Sequence, residues 1–272
     1  MKFGRACLCL TVACLLISQS GRAKDKEKLP TSEELAAISA RGKLLAQYDQ
    51  IAWHATDKLL EQHLAEGLVR GYIVEVKEKD WVIAFGRLTE DRTGLIVEFQ
   101  ATTSPDLSVK PQPPDSKQVV DHADLFREFL AMDTARSAFG KQSRPYNAAV
   151  LLAPGGQYFV YFYPGSTNAD VILMGGDVRF LVSSDGKTIL EKRELHASIR
   201  EWSTKEPKDG GKLQAAYHTH VLSDVPEDTD VMYVLMRRPP VPEYVASKKY
   251  TYLISAEGDI QFLGETDKVL KK

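Results

Sequence analysis

Short strand-like runs recur along most of this chain, and they constrain the fold more than any other feature. The runs are rich in β-branched and aromatic residues, and short polar turns such as Glu78-Lys79-Asp80 and Ser183-Ser184-Asp185-Gly186 separate them. Two strands joined by so short a turn pair as an antiparallel hairpin, and an Asp-Gly pair suits that turn. The sequence therefore predicts β-sheets that are mostly antiparallel.

Two longer segments instead have apolar residues at helical spacing. The first begins at Thr31-Ser32-Glu33-Glu34, which has the pattern of a capping box, and it ends before Gly67 as one helix or as two with a break near Gly42. The second spans residues 117–139 and ends at Gly140. Two long helices combined with consecutive hairpins predict an α+β fold.

The N-terminal 23 residues have the three parts of a secretory signal. Lys2 and Arg5 supply positive charge, residues 6–17 form a short apolar run, and the small residues Gly21 and Ala23 occupy the −3 and −1 positions of a cleavage site. We therefore expect residues 1–23 to be a signal peptide and the mature protein to be periplasmic or secreted.

Cleavage at that site would remove every cysteine, since Cys7, Cys9 and Cys14 all lie within the signal. The mature chain would then form no disulfide and hold no metal through thiolates. No later run is long and apolar enough to span a membrane. The formal charge of −2, without a basic stripe, argues against a nucleic-acid partner and leaves an unknown protein or peptide ligand.

Composition divides the rest of the chain into four parts. We expect a charged linker at 24–33, a helix with an antiparallel meander at 34–103, a proline-rich linker at 104–116, and an α+β domain at 117–272. The third part is assigned as a linker because its prolines interrupt both helix and strand. These are Pro105, Pro111, Pro113 and Pro114.

A histidine pair near the C-terminus carries the clearest chemical signal. His218 and His220 are two residues apart in a strand-like run, so their side chains project from the same face of the strand. Asp230 begins a short predicted helix after them, and Asp224 lies in the intervening loop. Imidazole and carboxylate ligands together suit zinc. The predicted metal ligands are therefore His218, His220 and Asp230, with Asp224 as the alternative carboxylate.

A structural alternative remains open for the same residues. Histidines in strands are often held by hydrogen bonds to nearby carboxylates, and Asp228 can cap the helix that begins near Thr229. In that case, the segment is a capped turn with no ion.

The strand, loop, helix, strand order around these residues resembles the metal-binding half of JAB/MPN (JAMM) metalloprotease-like domains. That resemblance implies a zinc ion held by His218, His220 and Asp230. It also implies an upstream glutamate as general base and a serine near the transition state. Val221 and Glu227 stand where that family has proline and serine.

The upstream glutamate is not identified by sequence, because Glu98, Glu128 and Glu194 all qualify. No catalytic residue is assigned, and no glycine-rich cofactor motif is present. The chain as a whole also resembles a family of secreted bacterial proteins, a membership that implies no activity. Two function classes therefore remain: a metal-dependent hydrolase, and a non-enzymatic envelope protein that binds a partner.

Overall fold

A computed structural model describes residues 29–62, 65–77, 80–103, 108–111, 123–168, 170–203 and 211–271. The predicted signal at 1–23 lies outside the described residues, as do most of the 24–33 linker and much of the 104–116 linker. From Thr31 to Lys272 the chain forms one compact unit. The division at 104–116 stays a prediction.

The described residues form an α+β fold, as the sequence predicts. The helices are α1 (Ser32–Leu60), α2 (Ala123–Phe139), α3 (Asp228–Met236) and α4 (Thr266–Val269). The strands are β1 (Gly71–Lys77), β2 (Asp80–Leu88), β3 (Leu95–Thr102), β4 (Ser108–Pro111), β5 (Tyr146–Leu152), β6 (Tyr158–Pro164), β7 (Val171–Gly175), β8 (Val178–Val182), β9 (Ile189–Glu194), β10 (Ile199–Ser203), β11 (Ala216–Thr219), β12 (Glu243–Ala246), β13 (Tyr250–Ile254) and β14 (Ile260–Glu265).

The first sheet is an antiparallel meander in the order β1-β2-β3-β4. β1 pairs with β2, and β2 with β3, as antiparallel neighbours, as the sequence predicts. β4 was not expected, because the sequence assigns its residues to an irregular proline-rich linker. It lies at the edge of the sheet, where a proline without an N–H group interrupts no ladder between two strands.

The second sheet has the antiparallel order β5-β6-β8-β9, and a separate antiparallel pair is formed by β7 and β10. The sequence did not predict β7 or β10. Two turns lie at one end of the β7–β10 pair, and each carries a residue of the candidate site. Asp177 lies in the turn between β7 and β8, and His196 lies between β9 and β10.

The third sheet has the order β11-β12-β13-β14, in which β11 pairs with β12 in parallel and the other pairs are antiparallel. Helix α3 connects the two parallel strands. This arrangement is the predicted C-terminal strand-loop-helix-strand unit, and it carries the His218-Thr219-His220 segment.

Helix α1 fixes the position of α3. Its predicted capping box is present: the Glu34 N–H donates to Thr31 Oγ1 at 3.2 Å, and the Thr31 N–H donates to Glu34 Oε2 at 2.7 Å. Gly42 does not break this helix. A Cβ atom at Gly42 would lie 2.4 Å from both the Asp228 carbonyl oxygen and Val231 Cβ, so the glycine permits close contact between α1 and α3.

The core lies between these helices and the first two sheets. One buried cluster joins α1 and α3 to residues of both sheets, and a second packs α2 against them. The Tyr72 hydroxyl of β1 donates to the Ala148 carbonyl of β5 at 3.2 Å and links the sheets directly. Within the described part of the chain, no helix has both the length and the apolar character needed to cross a membrane.

Candidate metal centre

Four side chains from separate parts of the sequence converge at one end of the third sheet. They are His196, His218, His220 and Asp230, and we call them the His–Asp cluster. One potential ligand atom from each lies within 4.8 Å of those from the others. The sequence predicts three of these residues, and His196 is the one it missed.

The local structure explains why the two neighbouring histidines share a face. Along β11, Ala216 and His218 are buried while Tyr217 and Thr219 are exposed. The His220 N–H donates to the Ala246 carbonyl at 2.8 Å and continues the β11–β12 pairing beyond the strand end. His220 therefore projects to the same buried side as His218, as the alternation of a strand requires.

Asp230 is held by the first turn of α3. Its Oδ2 atom accepts a hydrogen bond of 2.7 Å from the Glu227 N–H, which precedes the helix. The N-terminal end of a helix stabilises a negative charge. The carboxylate is only 2% exposed and points towards the three imidazole rings. Asp230 is therefore an oriented anion within the protein.

The ring nitrogens that face Asp230 are all Nε2 atoms. His196 Nε2 lies 2.9 Å and His218 Nε2 3.1 Å from Asp230 Oδ1, and His220 Nε2 lies 3.0 Å from Oδ2. The Nε2 atoms of His196 and His220 are 3.1 Å apart. Ligand atoms about 2.0–2.1 Å from a tetrahedral zinc ion would be separated by about 3.3 Å. These four distances are within about 0.4 Å of that separation, so these atoms would need to move apart only slightly to hold an ion.

The other nitrogen of each ring faces an oxygen acceptor. The contacts are His196 Nδ1 to Asp177 Oδ1 at 2.7 Å, His218 Nδ1 to Glu243 Oε1 at 2.7 Å, and His220 Nδ1 to the Val225 carbonyl at 3.0 Å and Ser223 Oγ at 3.1 Å. A carboxylate or carbonyl oxygen can only accept, so a neutral ring that binds an ion through Nε2 can donate its Nδ1 proton to the acceptor beside it. Each Nε2 is then a lone-pair donor.

This pattern of hydrogen bonds is the one that supports metal-binding histidines in proteins. Three Nε2 lone pairs and a carboxylate oxygen converge, and such groups repel one another unless a cation or additional protons lie between them. His218 Nε2 is buried and makes no hydrogen bond with any described group, despite its distance of 3.1 Å from Asp230 Oδ1. The His–Asp cluster can hold a metal ion.

Without an ion, protons must supply the positive charge. Burial lowers the pKa of His218, but the nearby Asp230 and Glu243 carboxylates outweigh burial and raise that pKa to about 9. Burial likewise opposes protonation of His196, and the Asp230 and Asp177 carboxylates raise its pKa well above the ordinary value. For Asp230, burial raises the pKa, but the three surrounding histidines lower it well below the ordinary value.

Asp224, the alternative ligand, lies outside the His–Asp cluster. Its carboxylate pairs with Lys249 Nζ at 2.9 Å, and its side chain is 33% exposed. Asp230 is therefore the carboxylate that faces the histidines. The sequence offered one weak signal for His196: it is the single histidine outside both the predicted helices and the histidine pair.

The His–Asp cluster opens into a cleft of about 320 Å³. The β7–β10 pair forms one wall through Met174 and Trp202, and β11 with the following loop forms the other through Tyr217 and Leu222. This volume is at the lower end of the range for small-molecule sites, about 300 to 1,000 Å³.

None of the three glutamates considered as a general base lines this cleft. Glu98 is buried on β3 and pairs with Arg87 at 3.5 Å. Glu227, which replaces the serine of the JAMM pattern, pairs with Arg193, and burial raises its pKa to about 7. None of the glutamates that the sequence offered as a general base therefore lies beside the His–Asp cluster, and the glutamates that do line the cleft are Glu201 and Glu243.

Comparison of the chain with protein-family models, with curated proteins and with solved structures finds no match. The assignment of a class therefore depends on the fold and on the geometry of the His–Asp cluster.

Proposed function

We propose that this chain is an exported metal-dependent hydrolase with one zinc ion bound by His196, His218, His220 and Asp230. The observation that carries this proposal is the orientation of the three histidines. Each Nδ1 atom faces an oxygen acceptor and each Nε2 atom faces the same carboxylate, so neutral rings protonated at Nδ1 would direct three Nε2 lone pairs at one ion. Imidazole and carboxylate groups are ligands that zinc takes in proteins.

The residues around the ligands have supporting roles in this proposal. Asp177 and Glu243 orient His196 and His218 through their Nδ1 atoms, and the Val225 carbonyl does the same for His220. Such contacts fix the ring tautomer and strengthen the metal bond. A bound ion would supply Lewis-acid activation of a carbonyl group and of water. The cleft beside the ion gives a small substrate access.

The strand, loop, helix, strand arrangement supports a JAMM-like hydrolase in particular. His218 and His220 end a strand and Asp230 opens the next helix, in the order that the resemblance implies. His196 is an addition to that ligand set. The predicted signal at residues 1–23 is consistent with an exported hydrolase.

A non-enzymatic binding protein is the second candidate, and two observations favour it. Four protein ligands complete a tetrahedral zinc site, whereas catalytic zinc sites keep a position open. Glu243, the one buried glutamate in the cleft, is engaged by both His218 and Arg237. A structural zinc ion would then stabilise a cleft whose purpose is binding.

Two measurements on the purified protein test these candidates. After dialysis against micromolar zinc and then buffer, native mass spectrometry should give one zinc ion per chain. Hydrolysis of a panel of short peptides and esters should then require that ion and stop with a chelator. Stoichiometric zinc without hydrolysis would select the binding protein, and absence of zinc would refute both metal-bound forms.

A further inference from the structure

Arg237 is the feature of the cleft that the metal ligands do not explain. It follows α3, is 1% exposed, and lines the same cleft as the His–Asp cluster. A buried arginine normally uses its donors in hydrogen bonds, because each unpaired donor costs free energy. Arg237 Nε and Nη1 have no partner among the described residues.

The contacts that Arg237 does make hold its guanidinium group in place. Its Nη2 atom donates to Glu243 Oε2 at 2.5 Å and lies 3.8 Å from Met174 Sδ. Its Cζ atom lies 4.3 Å from the centre of the Trp202 ring, which stacks against the guanidinium plane. The charged group is thus oriented before any ligand arrives, and its unpartnered Nε and Nη1 atoms are buried in the wall of the cleft.

Glu243 places these donors beside the metal ligands. Its Oε1 atom contacts His218 Nδ1 and its Oε2 atom contacts Arg237, so one carboxylate bridges the two groups. A single small ligand can therefore contact Arg237 at one end and face the His–Asp cluster at the other.

We propose that the cleft binds a ligand with a free carboxylate, which Arg237 receives through Nε–H and Nη1–H. An arginine with unused donors matches planar carboxylate oxygens. This step rests on the proposed metal centre, since it places the rest of the ligand towards the ion. A short peptide or an N-acyl amino acid has this arrangement, with a carboxylate close to an amide carbonyl.

The charge of the cleft favours a monoanion over a dianion such as phosphate. Among the described residues that line it, the permanently charged cations are Arg200 and Arg237, and the carboxylates are Glu201, Asp230 and Glu243. With neutral histidines, these side chains have a net charge of −1. A bound divalent ion would change the net charge of the cleft to +1. A single carboxylate then makes the loaded cleft neutral.

The rim of the cleft defines the remainder of the ligand. Tyr217, Val221 and Leu222 line the cleft, and all three are substantially exposed. Apolar side chains at the mouth of a concave site favour an apolar group on the ligand. The ligand class is therefore an N-acylated apolar amino acid or a short peptide that ends in one.

Isothermal titration calorimetry with matched probes tests this inference. N-acetyl-leucine and N-acetyl-leucinamide differ only in the carboxylate, and the zinc content of the same protein sample is measured by native mass spectrometry. We expect the acid to bind about 10- to 100-fold more tightly than the amide, the range for hydrogen bonds to charged groups. Equal affinity, or tighter binding of inorganic phosphate, would overturn the inference.

Two variants assign the preference to one arginine. Arg237→Lys keeps the charge beside Glu243 but removes the Nε and Nη1 donors, and it should abolish most of the preference. Arg200→Lys, on the exposed rim of the same cleft, should retain the preference for the acid. Loss of that preference in Arg200→Lys but not in Arg237→Lys would contradict the role of Arg237. If Arg237→Lys does not fold, the wild-type probe pair still decides.

The zinc measurement separates the two proposals. A carboxylate preference that depends on Arg237 in protein without zinc would refute the proposed function and leave the Arg237 contact intact. Stoichiometric zinc with no preference would refute the Arg237 contact and leave the metal centre intact.

Discussion

Asp228 and Asp230 lie two residues apart at the start of α3, and their side chains are only 1% and 2% exposed, yet different groups compensate their charges. Asp228 is surrounded by fixed donors. Its Oδ1 atom pairs with Arg41 at 2.9 Å, and its Oδ2 atom accepts from the Tyr161 hydroxyl at 2.7 Å and from Arg179 at 3.1 Å. The chain itself supplies all the charge that this aspartate needs.

Asp230 faces three imidazoles instead, and none of them is a permanent cation. A neutral ring with its proton on Nδ1 directs its Nε2 lone pair at the carboxylate. A buried charge is costly without compensation. Asp230 therefore requires either protons on the rings or a cation between them. Asp228 is thus a carboxylate whose charge is compensated within the fold. The charge of Asp230 is compensated only when protons or a cation bind.

The largest effect should follow from removing the charge of Asp228. Asp228→Asn leaves Arg41 and Arg179 without their buried partner, and loss of one member of a buried ion pair costs about 3 to 5 kcal/mol. Urea denaturation of the metal-free protein measures this change. Asp259→Asn is the matched control, because its pair with Lys43 is exposed and should contribute about 0 to 1 kcal/mol.

This variant also sharpens the contrast between the two aspartates. Zinc stoichiometry should be unchanged in Asp228→Asn, provided that the measurement is made where the protein is folded. Loss of zinc from a folded Asp228→Asn protein would show that the two carboxylates act as one unit.

The next effect concerns the ligands themselves. His220→Ala should weaken zinc binding more than about 100-fold, since the loss of a supporting contact alone costs about 10- to 100-fold. Competition with a fluorescent zinc chelator measures the affinity, and circular dichroism reports the fold. His54→Ala, an exposed histidine on α1, is the matched control and should bind zinc normally.

A different result would show that these histidines have a structural role and bind no metal. If His220→Ala unfolds and the wild-type protein carries no zinc after dialysis, then the histidines serve only to hydrogen bond Asp230. That result would refute the proposed metal-dependent hydrolase.

A smaller effect is expected from the supporting carboxylates. Asp177→Asn keeps the size of the side chain but removes the charge that orients His196, and zinc affinity should fall about 10- to 100-fold without loss of stoichiometry. Asp224→Asn should leave the affinity unchanged, because Asp224 pairs with Lys249 outside the His–Asp cluster. A larger loss of zinc affinity in Asp224→Asn than in Asp177→Asn would instead support Asp224 as the ligand.

The same contrast shows which parts of the molecule can be predicted from its sequence. The capping box at Thr31 and the hairpin at Asp185-Gly186 depend on residues a few positions apart, and both were predicted correctly. Of the two alternatives for the first helix, one continuous helix is confirmed and a break near Gly42 is wrong. The glycine permits the approach of α3, from 186 or more residues further along the chain. Local patterns carry no information about such contacts.

The candidate site divides in the same way. His218, His220 and Asp230 lie within one short segment, and their spacing predicts that they meet. His196 reaches them from the turn before β10, a strand that the sequence did not predict. The partners that orient the rings, Asp177 and Glu243, come from two further elements. Their convergence depends on how three sheets pack, which no spacing rule describes.

The smallest effect is a pH dependence that distinguishes the metal-free protein from the zinc-loaded one. The folded-state pKa of His218 is about 9, above the ordinary value of about 6.5. Its protonation therefore stabilises the metal-free fold fully below pH 6.5, and this contribution is lost as the pH rises through 9. We expect the Tm of the metal-free protein to fall as the pH rises from 6.5 to 9.

Zinc should remove this dependence, because the ion binds neutral imidazoles and releases their protons. Differential scanning calorimetry from pH 6.5 to 9 should thus show a stabilisation by zinc that grows with pH. The metal-free His218→Ala protein provides the control, since its Tm should lose the part of the change that His218 contributes and keep the part that comes from His196. A flat profile for the metal-free wild-type protein would mean that the rings are not protonated beside Asp230. That carboxylate would then have to be compensated in some other way, and its contrast with Asp228 would disappear.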